Sequence, residues 1–200
     1  EKLLSAIALL RERGIAVGLK TMVMKDNLHQ MKDIFSFGKG LGVDQHEFGE
    51  EITARINGSC DPKQIQIDDA LLGVYYRNDT PQFLEHREEI SFEDALKRPL
   101  CGAGVIGAYI SCYGDVYPCA EWRVPVGNIK QDSFRSIWRK REGLLAELRT
   151  IKQYADLADC RGCSLVDFCR RCPGRAFSET GKWQGCYPNA YTRAELDKTI

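Results

Sequence analysis

Over residues 1–49 the spacing of apolar positions changes period several times. In EKLLSAIALLRERG, Leu3, Leu4, Ile7, Leu9 and Leu10 share one helical face, whereas IAVGLKTMVM (15–24) is a largely apolar strand. NLHQMKDIFSFGKGLG (27–42) returns to a helical period, and VDQHEFG (43–49) predicts a second strand. Gly14, Gly40 and Gly42 supply helix stops, and Asn27 is placed to cap the second helix. The apolar run Ile15 to Met24 predicts a parallel strand covered on both faces, and the helix-strand alternation predicts right-handed βα crossovers. Two such units do not close a sheet, and the first helix is already under way at Glu1, so an N-terminal part is expected to be missing. In α/β folds of this kind ligands gather at the carboxyl ends of strands, which singles out Lys25, Asp26, Asn27 and the stretch Glu47 to Glu51. Taken singly, Asp26 and Asn27 read as helix caps, and Glu50 and Glu51 as solvated carboxylates.

NGSCDPK (57–63) is a turn-rich loop, and DDALLGVYYRND predicts a helix ending near Asn78 before a polar connector. Ser91, with Asp94 three residues on, opens a short helix in SFEDALKRPL. From Cys101 the pattern becomes a glycine-rich loop, an apolar strand Val105 to Ile110, a turn at Tyr113-Gly114-Asp115 and a return through Val116 and Tyr117 to Cys119. Such a hairpin places Cys101, Cys112 and Cys119 in one neighbourhood. VGNIKQDSFRSIWRKREGLLAELR (126–149) then reads as a helix capped by Asp132 or Ser133.

Composition narrows the class. The chain is 44% hydrophobic, enough for an ordinary core. Its 28 basic and 28 acidic side chains cancel, so no long-range field favours nucleic acid or an anionic membrane. No apolar run approaches the ~18 residues that span a bilayer, and no secretory leader opens the sequence.

Nine cysteines carry the chemistry, and eight of them fall in the second half: Cys101, Cys112, Cys119, Cys160, Cys163, Cys169, Cys172 and Cys186. Cys60 stands apart in its loop and reads as a free thiol. An odd count, the lack of an export signal and the short CxxC loops disfavour a disulfide framework. Paired CxxC turns normally hold structural zinc, but five residues separate Cys163 from Cys169, whereas a zinc ribbon places ~15 to 20 between its knuckles. Iron-sulfur clusters fit this spacing better. A cubane spreads its iron corners wider than a single ion, and a cysteine followed by proline, as in Cys172-Pro173, ligates the other cluster in bacterial ferredoxins.

The order Cys101, Gly114, Cys119, the C-x2-C-x5-C of 160–169, Cys172 and Cys186, with the phrases GDVYPC, VGNI, SFRSIW and CPGRAFSETG, resembles the SPASM domain over residues 101–190. That domain is the twitch-type auxiliary-cluster extension at the C-terminus of radical S-adenosylmethionine enzymes, among them the maturases of subtilosin, pyrroloquinoline quinone, anaerobic sulfatases and mycofactocin. The resemblance implies late βα units of a partial TIM barrel over residues 1–98 and a small α+β cysteine-rich domain over 99–200, an α/β chain overall. It also implies two auxiliary [4Fe-4S] clusters, the first on Cys101, Cys119 and Cys172, the second on Cys160, Cys163, Cys169 and Cys186. Some members carry an extra cysteine near Cys112 as the fourth ligand of the first cluster; otherwise Cys112 reads as a buried strand thiol. A peptide or protein substrate, an electron donor or acceptor such as ferredoxin or flavodoxin, and a reducing cytoplasm are implied as well.

Two residues separate Cys169 from Cys172 where the family usually has three, and no CxxxCxxC loop occurs. That loop would hold the third, catalytic [4Fe-4S] cluster and present its open iron to S-adenosylmethionine. The chain as it stands is therefore expected to be inactive alone, with radical chemistry belonging to a full-length parent. Two other classes remain: a self-contained electron-transfer protein, which has no need of βα units, and a zinc-bound interaction module presenting Trp122, Trp183 and Tyr187. Those aromatics are more often core residues. Asp115, Glu121 and Asp167 lie close to the cysteines but read as solvated carboxylates.

Overall fold

The computed structural model of the chain describes residues 1–53, 55, 57, 59–68, 70–73 and 90–199. They fall into two units, one containing 1–53 and 60–73, the other containing 90–199.

The first unit begins with α1 (Lys2–Glu12), which ends where Gly14 adopts φ 68°. β1 (Gly18–Met22) and β2 (Gln45–Gly49) pair in parallel, Gly18 opposite Gln45 through Met22 opposite Gly49. Between them a 3-10 turn at Leu28–Gln30 leads into α2 (Met31–Gly40). The helix comes close to β2 because Gly38 lacks a side chain: a Cβ there would lie 2.3 Å from Nδ1 of His46. His46 stacks on Phe48 at 4.3 Å and shares a hydrogen bond of 2.9 Å with Thr21 Oγ1. Ile7, Val17, Val23, Met31, Ile67 and Leu72 are buried.

Several expectations are corrected here. Both strands alternate exposed and half-buried residues, so neither is covered on both faces, and Leu3, Leu4, Leu9 and Leu10 of α1 are exposed. Gly40 stays within α2, and Gly42, at φ 64°, follows its end. Asn27 stands at the N-cap position of the 3-10 turn that leads into α2, but its side chain caps no helical amide; its Oδ1 accepts from the Met24 N–H (2.8 Å) and its Nδ2 donates to the Met22 carbonyl (2.9 Å), which fixes the chain as it leaves β1. Glu50 and Glu51 are buried, because the chain at this point is tied down by Val23 N–H to Gly49 O (2.7 Å) and Ile52 N–H to Gln66 Oε1 (2.9 Å). Most of the helix expected to end near Asn78 lies outside the described residues; 70–73 are helical.

The second unit opens with α3 (Phe92–Lys97), capped by Ser91, whose Oγ accepts from Asp94 N–H at 3.1 Å. β3 (Tyr109–Ile110) and β4 (Asp115–Tyr117) form the expected hairpin, although β3 is confined to two residues. The glycine-rich loop is present as expected, but its turn, with Gly104 at φ 69°, runs on through Val105 and Ile106, where a strand was expected. The turn closes at Gly114, φ 91°, with Ser111 Oγ accepting from the N–H groups of Tyr113 (3.2 Å) and Asp115 (3.1 Å). A third strand, β5 (Gly127–Asn128), adds to β4. The single helix expected over 126–149 is thus a strand and two helices, α4 (Phe134–Trp138) and α5 (Gly143–Thr150). The positive φ of Gly143 (69°) breaks the helical run between them, while Ser133 caps α4 as expected. The short α6 (Ala158–Arg161), then α7 (Pro173–Thr180) and α8 (Pro188–Lys198), complete the unit.

Its core is built around Trp122, which is 1% exposed and packs against Phe177 (5.4 Å) and edge-on to Trp183 (6.5 Å), with Leu148, Tyr154, Leu157 and Val166 in the same cluster. Truncating Trp122 to Ala is expected to cost about 3–5 kcal/mol. Urea unfolding of the purified chain, followed by circular dichroism, checks this through the fall in midpoint.

Candidate metal centre

The core holds the cysteine-bearing loops at its margin. Cys119 lies just after β4 and is half-buried; the backbone N–H groups of Glu121 and Trp122 point at its sulfur. Burial raises its thiol pKa, and the charge of Cys101 adds to the effect. Cys101 itself is exposed and accepts a hydrogen bond from Ala103 N–H at 3.3 Å. Cys172 precedes α7, so the first free N–H groups of that helix, at Gly174 and Arg175, face its sulfur. Burial pushes this thiol up to about 11, and the charges of Glu121 and Cys119 push in the same direction. The approach of Cys172 to Cys119 depends on Gly174, where a Cβ would lie 2.9 Å from Glu121 Cβ and 3.1 Å from its carbonyl carbon. Glu121 is no solvated carboxylate; it pairs with Arg175 at 3.3 Å and 3.4 Å. Tyr187 Oη accepts from the Cys172 N–H at 3.2 Å. Cys101, Cys119 and Cys172 therefore form one set.

Cys160, Cys163, Cys169 and Cys186 form another. Cys160 sits in α6 and is buried, and successive turns through Cys163 N–H to Cys160 O (3.2 Å) and Val166 N–H to Cys163 O (3.2 Å) lead to Cys169. The Cys169 carbonyl is gripped by Tyr154 Oη (3.3 Å) and Arg98 Nη2 (3.0 Å), with the Arg98 guanidinium 4.9 Å over the Tyr154 ring. Asp159, in α6, holds Cys186 in place, its Oδ2 accepting the Cys186 N–H at 3.1 Å. Burial pushes Cys160 up to about 11, opposed by the positive charge of Arg171 and reinforced by the charges of Cys169, Cys163 and Cys186. Burial likewise raises Cys169 and Cys186.

Cys112 is exposed at the hairpin turn, not a buried strand thiol, and Cys60 is exposed in the other unit. Asp115 belongs to the hairpin, accepting from Asn128 Nδ2 at 2.8 Å, and Asp167 Oδ1 is buried without a hydrogen-bond partner. Trp122, Trp183 and Tyr187 are core residues, each at most 4% exposed, and offer no binding face. Among the described residues no three Cys, His, Asp or Glu side chains close on a single ion. A cubane needs thiolates set wider than that, with corners rather than one centre to satisfy. The donors fit such a group in kind: soft sulfur ligands, N–H groups aimed at the sulfurs, and a buried cation beside the second set, Arg171, whose Nε and Nη1 lack hydrogen-bond partners. Arg98, Tyr154, Asp159 and Arg171 escape sequence reading. Only the position of Arg171 between two cysteines hints at its role.

In metal-free protein at pH 8, a thiol raised to about 11 is roughly one part in a thousand thiolate, and thiolate is the form that alkylates. Iodoacetamide is therefore expected to label Cys112 well ahead of Cys160 and Cys172, with peptide mass mapping over time as the check.

Residues 101–173 match the family model of SPASM, an iron-sulfur cluster-binding domain. Cys186 lies beyond that span and joins its partners only in the folded chain. The chain is 29% identical, over an alignment that covers 90% of its length, to an AdoMet-dependent heme synthase of Nitratidesulfovibrio vulgaris. It is 28% identical, over 92% of its length, to one of Methanosarcina barkeri. The alignments cover 55% and 58% of those proteins, so the chain spans a little over half the length of the curated relatives it matches. The expectation of a peptide or protein substrate finds no support in these relatives, which are named as heme synthases. No helix among the described residues is long and apolar enough to cross a membrane. Over residues 101–173 the chain is thus similar to the SPASM iron-sulfur cluster-binding domain, as its cysteine spacing suggests, and over most of its length it is similar to a part of AdoMet-dependent heme synthases.

Proposed function

We propose that this chain is the auxiliary-cluster portion of a radical S-adenosylmethionine enzyme and that it holds two [4Fe-4S] clusters. Cys101, Cys119 and Cys172 are ligands of the first, with exposed Cys112 the candidate fourth, and Cys160, Cys163, Cys169 and Cys186 are ligands of the second. The observation that carries this reading is the separation of the thiols into two mutually interacting sets, within and just beyond the span that matches SPASM. When bound, the clusters supply one-electron transfer and an anchoring point for substrate. The chain's own residues do the rest. Tyr154, Arg98 and Asp159 fix the loops that carry Cys169 and Cys186, Tyr187 and Gly174 fix Cys172, and the Trp122 core keeps water from the inner thiols.

The parallel β1-α2-β2 unit supports a place for residues 1–98 in the late part of a partial TIM barrel. By relationship to the heme synthases, the substrate of the complete protein is a porphyrin-class precursor of heme. The catalytic cluster and the S-adenosylmethionine site belong to sequence outside this chain, which alone does not cleave S-adenosylmethionine. A small electron carrier such as ferredoxin or flavodoxin serves as partner, in a reducing cytoplasm that preserves the clusters and unpaired thiols.

Anaerobic reconstitution is expected to give about eight irons and about eight sulfides per chain with broad absorbance near ~400 nm, and Cys163→Ala to lose roughly half of both. Zinc without a visible band would instead assign the cysteines to a structural clamp. In the complete protein, with S-adenosylmethionine and a reductant, 5′-deoxyadenosine release measured by mass spectrometry is expected to require an iron porphyrin carrying carboxylate side chains. Release driven equally well by peptides and not by the porphyrin would overturn the substrate assignment.

A further inference from the structure

Arg171 is 5% exposed, and an arginine does not shed its proton to escape burial. A buried charge without a counter-charge costs several kcal/mol. Nη2 donates to the carbonyls of Trp183 and Gly185, both at 2.6 Å, and so is committed to the backbone on the path to Cys186. Nε and Nη1 are buried and make no hydrogen bond. No carboxylate among the described residues forms an ion pair with Arg171, in contrast to Arg175, which holds Glu121. The positive charge acts instead on the thiols of Cys160, Cys169 and Cys186. Two polar carbonyls soften the burial, but they supply dipoles and not a negative charge.

We propose that Arg171 is the counter-charge of the iron-sulfur cluster held by Cys160, Cys163, Cys169 and Cys186, its unpartnered N–H groups facing the cluster's sulfurs and raising its reduction potential. The inference rests on the cluster assignment above. A thiolate-ligated cubane is anionic in both redox states and more so after accepting one electron; no bond is made or broken and no proton is required. A fixed cation in a medium of low dielectric stabilises the more negative state by more, so reduction becomes easier. Arg171 is thus a positioning residue. It touches neither substrate nor S-adenosylmethionine, and it acts through the electron affinity of one cluster while the three-cysteine set, with its own carboxylate and backbone donors, is left alone.

The test is a potentiometric titration of the anaerobically reconstituted chain, with dithionite as reductant and electron paramagnetic resonance as readout, preceded by iron and sulfide analysis. Arg171→Gln keeps an amide donor for the Trp183 and Gly185 carbonyls and removes the charge. Arg171→Lys keeps the charge. The expected result is full iron in both variants and, in Arg171→Gln, one of the two couples moved to lower potential. At a fixed potential the reduced fraction relative to oxidised falls by about tenfold or more, which for a one-electron couple is about 59 mV, and Arg171→Lys restores most of it. Unmoved couples in iron-replete Arg171→Gln would overturn the proposal. Equal loss of iron from both variants would also overturn it, by assigning Arg171 to the folding of the Cys186 loop. Wild-type protein that takes up no iron would fail the cluster assignment itself, an outcome distinct from either.

Discussion

The arrangement of the second unit is governed by the cost of crowding sulfurs. Cys119, Cys160, Cys169, Cys172 and Cys186 are pushed toward the protonated form chiefly by burial, and the charges of neighbouring thiols add to the effect. Thiolates brought together under these conditions repel each other, and the fold must hold them against that repulsion until a cation pays the debt. Metal uptake, proton release and the final ordering of the loops are therefore coupled steps. The apolar cluster centred on Trp122 supplies the rigidity, since an aromatic slab between Phe177 and Trp183 joins the loop after Cys119 to the helix after Cys172 and to the approach to Cys186.

How the loops are held follows from their composition. Residues 160–172 have no strand to anchor them, so their geometry comes from short turns and from side chains bonding to backbone carbonyls. Arg98 and Tyr154 converge on the carbonyl of Cys169, Tyr187 meets the amide of Cys172, and Asp159 meets the amide of Cys186. Each contact fixes a cysteine's main chain through its amide or carbonyl and not through its sulfur. Gly174 works by absence, allowing the first turn of α7 to approach the Glu121 backbone closely enough to place Cys172 beside Cys119.

Much of this was legible in the sequence because it rested on spacing. The parallel βα unit, the Ser91 and Ser133 caps and the hairpin closing at Gly114 follow from local periodicity and turn chemistry, and all appear. Tertiary context changed the rest. Asn27 has the composition of a helix cap but finds better partners at the end of β1, and Glu50 and Glu51 look solvated until main-chain bonds on either side tie them down. Residues 126–149 have an average helical period that conceals a glycine break and a two-residue strand. For the site, spacing identified the thiols but not their support. The burial of Arg171 and the reach of Arg98 to the Cys169 carbonyl follow from contacts across the chain that no local pattern encodes.

The two thiol sets solve the same electrostatic problem by different means. Around Cys119 and Cys172 the stabilising groups are backbone dipoles, paired N–H groups in a loop and at the start of α7, with a carboxylate nearby that is itself neutralised by Arg175. Around Cys160, Cys169 and Cys186 fewer amides point at sulfur, and a buried guanidinium takes their place. Dipoles weaken rapidly with distance and favour the sulfur they touch, whereas a whole charge acts on every sulfur within reach. A site in which three thiols share one cation is consequently stabilised as a unit. One in which each thiol has its own amides is stabilised ligand by ligand. Each set includes one exposed thiol, Cys101 in one and Cys186 in the other, and Asp159 fixes the main chain of the latter.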